Sequence, residues 1–109
     1  MAFEAHLGFS GTTATLHLAG DLEERNVPLL RSLIEKAAGR PLQRLVLYVS
    51  ELGTLAGGGV RCLAFAQQHM RPGTQFIIDG ANEPVREALR LGGLDRSMTV
   101  TEEHPVLSS

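Results

Sequence analysis

Apolar and polar positions alternate in two runs at the start of the chain, and this pattern predicts two β-strands. Apolar side chains recur at every second position in residues 3–9, and they do so again in residues 12–19. Alternation with a period of two is typical of a strand with one buried face. Because Ser10 and Gly11 between the runs are turn residues, the two strands are expected to form an antiparallel hairpin.

The spacing then changes to three and four residues, which predicts helices. Apolar residues recur at this spacing over residues 27–38, and a second such stretch follows over residues 60–70, with Phe65 expected on its inward side. A third helix is predicted to start after Asn82, whose side chain suits an N-cap, and to end at the glycine pair 92–93.

Further strands separate these helices. Residues 42–49 form the most apolar run and alternate little, so both faces of this strand are expected to be covered. Shorter strands are predicted over residues 75–78 and 98–100. The order β-β-α-β-α-β-α-β implies right-handed crossovers between parallel strands. The predicted fold is a single α/β domain, with helices packed on a mixed sheet, a core over about 3–101 and a polar tail over 102–109.

Composition narrows the class of protein. The 109 residues are 43% hydrophobic and 20% charged, which suits one globular domain. The net charge of −2 lacks the basic footprint of a nucleic-acid binder. The sequence shows no signal peptide and no apolar run of the ~20 residues that a bilayer span requires. With Cys62 as its single cysteine, the chain is expected to be cytoplasmic, without membrane insertion.

Three consecutive glycines, Gly57, Gly58 and Gly59, stand between the most apolar strand and the second predicted helix. A strand, a loop of small residues and a helix N-terminus form a common site, because the free N–H groups there carry partial positive charge. The lysine of a P-loop and the spaced glycines of a dinucleotide site are missing, so nucleotide hydrolysis is excluded. The glycines either allow close approach by a partner or an anion, or serve only a tight turn.

Other candidates for chemistry are weaker. His6 and His17 could meet across the hairpin, but no third ligand stands at a suitable spacing, so no metal site is predicted. A position early in a helix could lower the pKa of Cys62, yet its apolar neighbours favour a buried structural thiol. No serine, histidine and acid form a recognisable catalytic set. We therefore predict a protein that is not an enzyme and that has no cofactor.

Three segments, taken in order, carry a family resemblance. Residues 16–23 end in Gly-Asp-Leu-Glu, residues 45–60 combine an apolar strand with Ala-Gly-Gly-Gly-Val, and residues 85–94 end in Gly-Gly-Leu. Together they resemble the STAS domain, a family named from sulfate transporters and anti-sigma-factor antagonists. Its members show Gly-Glu-Leu-Asp, then Asp-Ser-Ser-Gly-Leu, then a closing helix with a Gly-Leu pair. The likeness covers residues 3–101.

The resemblance also defines where this chain departs from the family. In the family, the serine before the motif's glycine accepts a phosphate from a partner kinase. When Gly59 is matched to that glycine, Gly58 takes the acceptor position, Gly57 replaces the preceding serine and Ala56 replaces the aspartate. The nearest hydroxyl is that of Thr54. An aspartate at Gly58 is expected to disturb partner binding while the fold survives, since the glycines are read as a loop.

The resemblance implies a regulatory module of bacterial signalling and transcription that binds another protein through residues 54–65. The partner would be an anti-sigma-factor kinase. One alternative is an accessory subunit of an ATP-driven transport complex, with the ATPase subunit as partner, and another is a small-ligand or anion-binding domain. A homodimer is possible. The predicted partner-binding residues are Thr54, Ala56, Gly57, Gly58, Gly59, Arg61 and Glu23.

Overall fold

A five-stranded mixed sheet carries the helices on one of its faces. The computed structural model describes residues 2–102. The strands lie in the order of the sequence, with the first pair antiparallel and the other three pairs parallel. They are β1 (Glu4–Ser10), β2 (Thr13–Leu22), β3 (Arg44–Leu55), β4 (Gln75–Ala81) and β5 (Thr99–Glu102).

The helices connect the parallel strands, as predicted. They are α1 (Val27–Ala38), α2 (Gly57–His69), α3 (Glu83–Leu91) and the short α4 (Leu94–Ser97), and a 3-10 turn, Glu24–Asn26, precedes α1. The predicted α/β class and mixed sheet are confirmed, while α4 and the 3-10 turn are additions. Apart from residue 102, which ends β5, the predicted tail lies outside the described residues.

The core lies between the helices and one face of the sheet. Leu45, Leu47 and Val49 are at most 2% exposed and belong to one apolar cluster with residues of all four helices. Alternation along a strand puts Val46 and Tyr48 on the opposite face. Val46 is also buried, but it lies outside that cluster.

The prediction that both faces of the central strand are covered is confirmed for Val46, which is buried on the face without helices, whereas Tyr48 on the same face is half-buried. On the open face, Val46 lies between Thr15 of β2 and Ile77 of β4, its partners in the sheet register. Tyr48 stacks on the ring of His17, with a centroid distance of 4.7 Å. Apolar area on this face is thus covered by neighbouring strands rather than by a second layer of helices. A run of apolar residues in the sequence does not distinguish between these two kinds of cover.

Helix α2 buries Leu63 and Ala66, which were predicted to point inward, but it does not bury Phe65. Gly59, Cys62, Leu63 and Ala66 are buried, which is the spacing of one helix face. Phe65 lies off this stripe and is 61% exposed, so the prediction that it points inward is wrong. The Cys62 thiol is buried, as expected.

The start of α3 is fixed to the end of β3. The Val85 amide donates a hydrogen bond of 2.9 Å to Asn82 Oδ1, which confirms the predicted N-cap. Asn82 Nδ2 donates to the carbonyl oxygens of Leu52 and Gly53, at 3.0 and 3.2 Å. A single side chain therefore positions α3 against the carboxyl end of the central strand.

Shortening Leu47 to alanine tests this description of the core. Leu47 is fully buried, so Leu47→Ala should lower the free energy of unfolding by ~2–5 kcal/mol through lost burial and a residual cavity. The matched control is Leu29→Ala at a site that is 47% exposed, which should cost less than about 1 kcal/mol. Chemical denaturation measures both, and equal losses would show that the core has been misplaced.

Candidate partner-binding site

The three glycines form the first turn of α2. Strand β3 ends at Leu55, Ala56 is the N-cap, and α2 begins at Gly57. The amides of Gly59 and Val60 both donate to the carbonyl oxygen of Ala56, at 2.9 and 3.2 Å. The interpretation of these glycines as a loop before a helix that starts at Val60 is therefore wrong. Glycine disfavours helix by ~1 kcal/mol per residue relative to alanine, and packing overrides this preference here.

Gly59 lets α2 approach the ends of two strands. A Cβ atom at this position would lie 2.8 Å from Leu55 Cδ1 and 3.0 Å from Leu22 Cδ2. Both leucines belong to the apolar part of the fold, and Leu22 is 1% exposed. The absence of a side chain at Gly59 is thus a requirement of close packing between the helix and the sheet.

Gly58 makes room for an acid from a distant part of the chain. Its amide donates a hydrogen bond of 2.9 Å to Glu24 Oε2. A Cβ atom at Gly58 would overlap Glu24 Oε1 and would lie 3.2 Å from Val27 Cγ2. The Glu24 carboxylate therefore occupies the space in which a side chain at Gly58 would begin.

The Glu24 carboxylate supplies the cap that α2 otherwise lacks. Ala56 has no side-chain oxygen and makes no capping hydrogen bond. A carboxylate at a helix N-terminus interacts favourably with the partial positive charge of the free N–H groups, and its hydrogen bond is charge-assisted. Glu24 thus binds the 3-10 turn before α1 to the start of α2.

The sequence predicted the neighbouring acid, Glu23, as the partner-binding residue. Glu23 lies 2.7 Å from Arg25 in an exposed ion pair, which contributes little to stability. The Glu23 amide donates to Asn26 Oδ1 at 2.9 Å, within the 3-10 turn. Glu24 could have been predicted from the order of the elements, because it follows β2. The carboxyl end of β2 lies beside that of β3, since the two strands are parallel.

Thr54, the hydroxyl nearest to the glycines, is engaged at the strand ends. Its Oγ1 donates a hydrogen bond of 3.0 Å to Asp21 Oδ1 of β2. The side chain is exposed, yet its hydroxyl points to a carboxylate. Thr54 therefore contributes to the pairing of β2 and β3 next to the site.

Gly57 and Arg61 form the exposed part of the site. Both residues are exposed, whereas Gly58 and Gly59 are buried. A Cβ atom at Gly57 would lie 3.5 Å from Arg61 Nη1, which is an ordinary contact distance. Of the predicted partner-binding residues on α2, these two are open to a partner, and Gly58 and Gly59 shape the backbone beneath them. Thr54 and Glu23 are exposed as well, at the end of β3 and beside the 3-10 turn.

An open groove of about 860 Å³ continues from this site between α1 and α2. The sequence did not predict it. Its apolar lining comprises Val27, Pro28, Ile34, Ala38, Cys62, Phe65 and Ala66, and its charged or titratable lining comprises Glu24, Arg31, Glu35, Arg61 and His69. We call this feature the α1–α2 groove.

The wall of the α1–α2 groove holds a thiol and an exposed aromatic pair. Burial raises the pKa of the Cys62 thiol, and the nearby Arg31 guanidinium acts in the opposite direction. This pKa agrees with an inert structural thiol. Phe65 stacks on His69 with a centroid distance of 4.0 Å. The ring pair forms an apolar projection beside the groove.

The hairpin histidines do not assemble a metal site. His6 stands directly opposite His17 in the strand register, as predicted. Within residues 2–102, no three or more His, Cys, Asp or Glu side chains form a group able to hold a metal ion. In the same part of the chain, no helix has both the length and the hydropathy to cross a membrane.

Comparison with known proteins identifies the family. A family model described as Mlab, STAS domain, matches residues 5–102, and the chain therefore belongs to the STAS domain family. No protein of curated function matches it.

Similar solved structures share its fold. An anti-sigma factor antagonist from Mycobacterium paratuberculosis is 19% identical, with a TM-score of 0.83 over 97% of this chain and 88% of that one. The anti-sigma factor antagonist SpoIIAA in its unphosphorylated form is 18% identical, with a TM-score of 0.78 over 92% and 90%. The Bacillus cell fate determinant SpoIIAA in its phosphorylated form is 18% identical, with a TM-score of 0.69 over 94% and 93%.

Alanine at two adjacent glycines tests the Glu24 contact. Gly58→Ala should be less stable than Gly57→Ala by about 1–2 kcal/mol, because its Cβ displaces the carboxylate that caps α2. Gly57→Ala is the matched control, since it adds the same atom at an ordinary contact distance from Arg61 Nη1 and gains helix propensity. In a Glu24→Ala background the difference should largely vanish. A difference that persists there would assign the cost to Val27 instead.

Proposed function

We propose that this chain is a non-enzymatic protein-interaction module that binds its partner through the exposed start of α2 without phosphorylation of that surface. The observation that carries the proposal is the hydrogen bond between the Gly58 amide and the Glu24 carboxylate. Residues 55–63 contain no hydroxyl that could accept a phosphate. A regulatory role in protein interaction also agrees with the STAS fold that the chain shares with anti-sigma-factor antagonists.

In this proposal, the Glu24 carboxylate takes the place of a charge that phosphorylation would add. SpoIIAA, which shares the fold, has been solved in unphosphorylated and phosphorylated forms. At the position that the family resemblance matches to the phosphate acceptor, Gly58 offers no hydroxyl. Glu24 places a carboxylate beside the backbone amide of Gly58. We infer that the start of α2 carries one permanent negative charge, so that binding is constitutive or is controlled elsewhere on the protein.

Two partner classes fit such a surface. An anti-sigma-factor kinase could bind here, but it would find no hydroxyl at the acceptor position. The ATPase subunit of an ATP-driven transport complex requires none, because an accessory subunit can stay bound throughout. The lack of a hydroxyl over residues 55–63 favours this second candidate.

The alternative of an anion-binding glycine site fits the geometry less well. The amide of Gly58 already donates to Glu24, and the amides of Gly59 and Val60 donate to Ala56. A free anion would have to displace a carboxylate that the chain itself supplies. The backbone donors that made this alternative attractive are thus already used.

The first test is phosphate transfer. After incubation with ATP and a serine kinase encoded near the gene, mass spectrometry should find no phosphate between Thr54 and Leu63. The positive control is Gly58→Ser combined with Glu24→Ala, which restores a hydroxyl and clears the space around it. A phosphorylated Thr54 in the unmodified chain would contradict the proposal, because it would restore a switch beside the site.

The second test adds a charge at Gly57. The expectation that Gly58→Asp spares the fold assumed that Gly58 lies in a loop. Gly58 is instead buried in α2 against Glu24. Gly57→Asp adds the same charge at an exposed N-terminal position that helices tolerate. It should weaken binding to the ATPase subunit or kinase encoded nearby by about tenfold or more.

The control for this test is His6→Asp, which places an aspartate on the open face of the sheet, far from α2. Affinity is measured by titration calorimetry and folding by thermal unfolding on the same samples. If Gly57→Asp folds normally and binds as tightly as the unmodified chain, the partner surface lies elsewhere.

A further inference from the structure

The face of the sheet without helices, which we call the open face, holds a depression of about 150 Å³. It extends across β1, β2 and β3, and its lining includes Glu4, His17, Tyr48 and Glu51. The helices and the α1–α2 groove lie on the other face of the sheet. The depression is therefore a separate feature from the proposed partner surface.

A β-bulge in β3 builds one side of the depression. Tyr48 and Glu51 are three residues apart on β3. Their partners on β2, His17 and Ala19, are only two residues apart, so β3 holds one extra residue at this point. As a result, the consecutive residues Ser50 and Glu51 are both exposed and both line the depression. In a regular strand, alternation would turn one of them toward the helices.

Two carboxylates stand on either side of a small residue. Ala19 of β2 pairs with Glu4 of β1 and with Glu51 of β3. Because neighbouring strands lie about 4.8 Å apart, the backbones of the two glutamates are roughly 10 Å apart, with only a methyl group between them. Both glutamates are exposed, and neither forms an ion pair with another residue of 2–102. The gap over Ala19 therefore suits a group of opposite charge.

The next row of side chains adds flat rings to the depression. His17 stacks on Tyr48 with a centroid distance of 4.7 Å and an angle of 19° between the planes. His6 stands opposite His17 on the other side. Among residues 2–102, no lysine or arginine lines the depression. Such rings can pack against the hydrocarbon stem of a long side chain whose charged head reaches the carboxylates.

Further along the strands, the open face becomes apolar. Val46 lies there between its register partners Thr15 and Ile77, both of which are half-buried. No helix packs on this side of the sheet. Thr15 and Ala19 are four residues apart on β2, so the apolar row lies about 13 Å from the gap between the carboxylates.

We propose that the open face binds an extended segment of a partner protein, with an arginine side chain between Glu4 and Glu51 and an apolar side chain over Val46. Charge complementarity requires a basic group in the gap, and the uncovered apolar row requires an apolar one beside it. In an extended chain, side chains four residues apart point to the same side and are about 13 Å apart. This spacing matches that of the two positions on the sheet.

The shape of the gap favours arginine over other cations. A guanidinium is planar and always charged, and it carries five N–H groups that can donate to carboxylates on both sides. The ammonium of lysine is a compact point charge with three donors. A metal ion fits poorly, because no three His, Cys, Asp or Glu side chains within residues 2–102 form a group able to hold one. The inference does not depend on the proposed function, which concerns the opposite face.

A short peptide titrated into the whole chain tests the proposal. The probe is a blocked heptapeptide with arginine at its second position, leucine at its sixth and serine or threonine elsewhere. The small contact area leads us to expect a dissociation constant on the order of 0.1–1 mM. In nuclear magnetic resonance spectra, amide shifts should change over residues 15–19 and 46–51 and stay constant over α2. Citrulline in place of the arginine keeps the shape but removes the charge, and should weaken binding at least about fivefold.

Variants of the chain locate the charge. Glu4→Gln and Glu51→Gln should each weaken binding of the arginine peptide about fivefold, since each removes one charged acceptor. Glu35→Gln is the matched control, because it makes the same change at an exposed residue of α1 on the other face, and it should leave the affinity unaltered. The variant with both Glu4→Lys and Glu51→Lys should instead prefer a peptide that carries glutamate in place of the arginine. Damage to the fold could not produce that reversal.

The outcomes separate this docking surface from its alternatives. Equal affinity for the arginine and citrulline peptides would overturn the proposal, and so would shift changes confined to the helices. If free arginine binds as tightly as the peptide, the depression is a site for a small cation, and docking of a protein segment is wrong. No shift change at a peptide concentration of about 5 mM would also overturn it.

Discussion

The close approach of the first turn of α2 to its surroundings is the constraint on which the site depends. Gly59 meets Leu55 and Leu22 at distances that a Cβ atom would not allow, and Gly58 does the same for the Glu24 carboxylate. Three glycines are unfavourable for helix formation, so packing against the ends of β2 and β3 must compensate. The same packing joins the 3-10 turn before α1 to α2, and so sets the position of both walls of the α1–α2 groove.

The fold was predictable because periodicity reports directly which face of an element is buried. The hairpin, the cap at Asn82 and the parallel crossovers followed from local patterns and chain order. The site was harder to predict from the sequence. That Glu24 rather than Glu23 reaches Gly58, 34 residues away, depends on how two strands end side by side. The exposure of Phe65 depends on which stripe of α2 faces the sheet, and a short helix with apolar residues on several faces leaves that choice to tertiary packing.

The Glu24 contact also changes how this chain relates to others of its fold. A helix N-terminus that needs a cap can receive it from a serine or phosphate at its own start, or from an acid elsewhere. Gly58 and Glu24 realise the second arrangement, and each depends on the other: the carboxylate needs the missing side chain, and the glycine-rich turn needs the charge. A single change at either position therefore leaves an uncapped or crowded helix. A side chain at position 58 would therefore meet the Glu24 carboxylate unless that residue also changed.

Arg61 belongs to the proposed partner surface. It stands one turn into α2, exposed and without an ion pair among residues 2–102. A Cβ atom at Gly57 would lie 3.5 Å from Arg61 Nη1, so a partner that approaches Gly57 also meets this guanidinium. The positive charge at the start of α2 is therefore part of the surface that such a partner would contact.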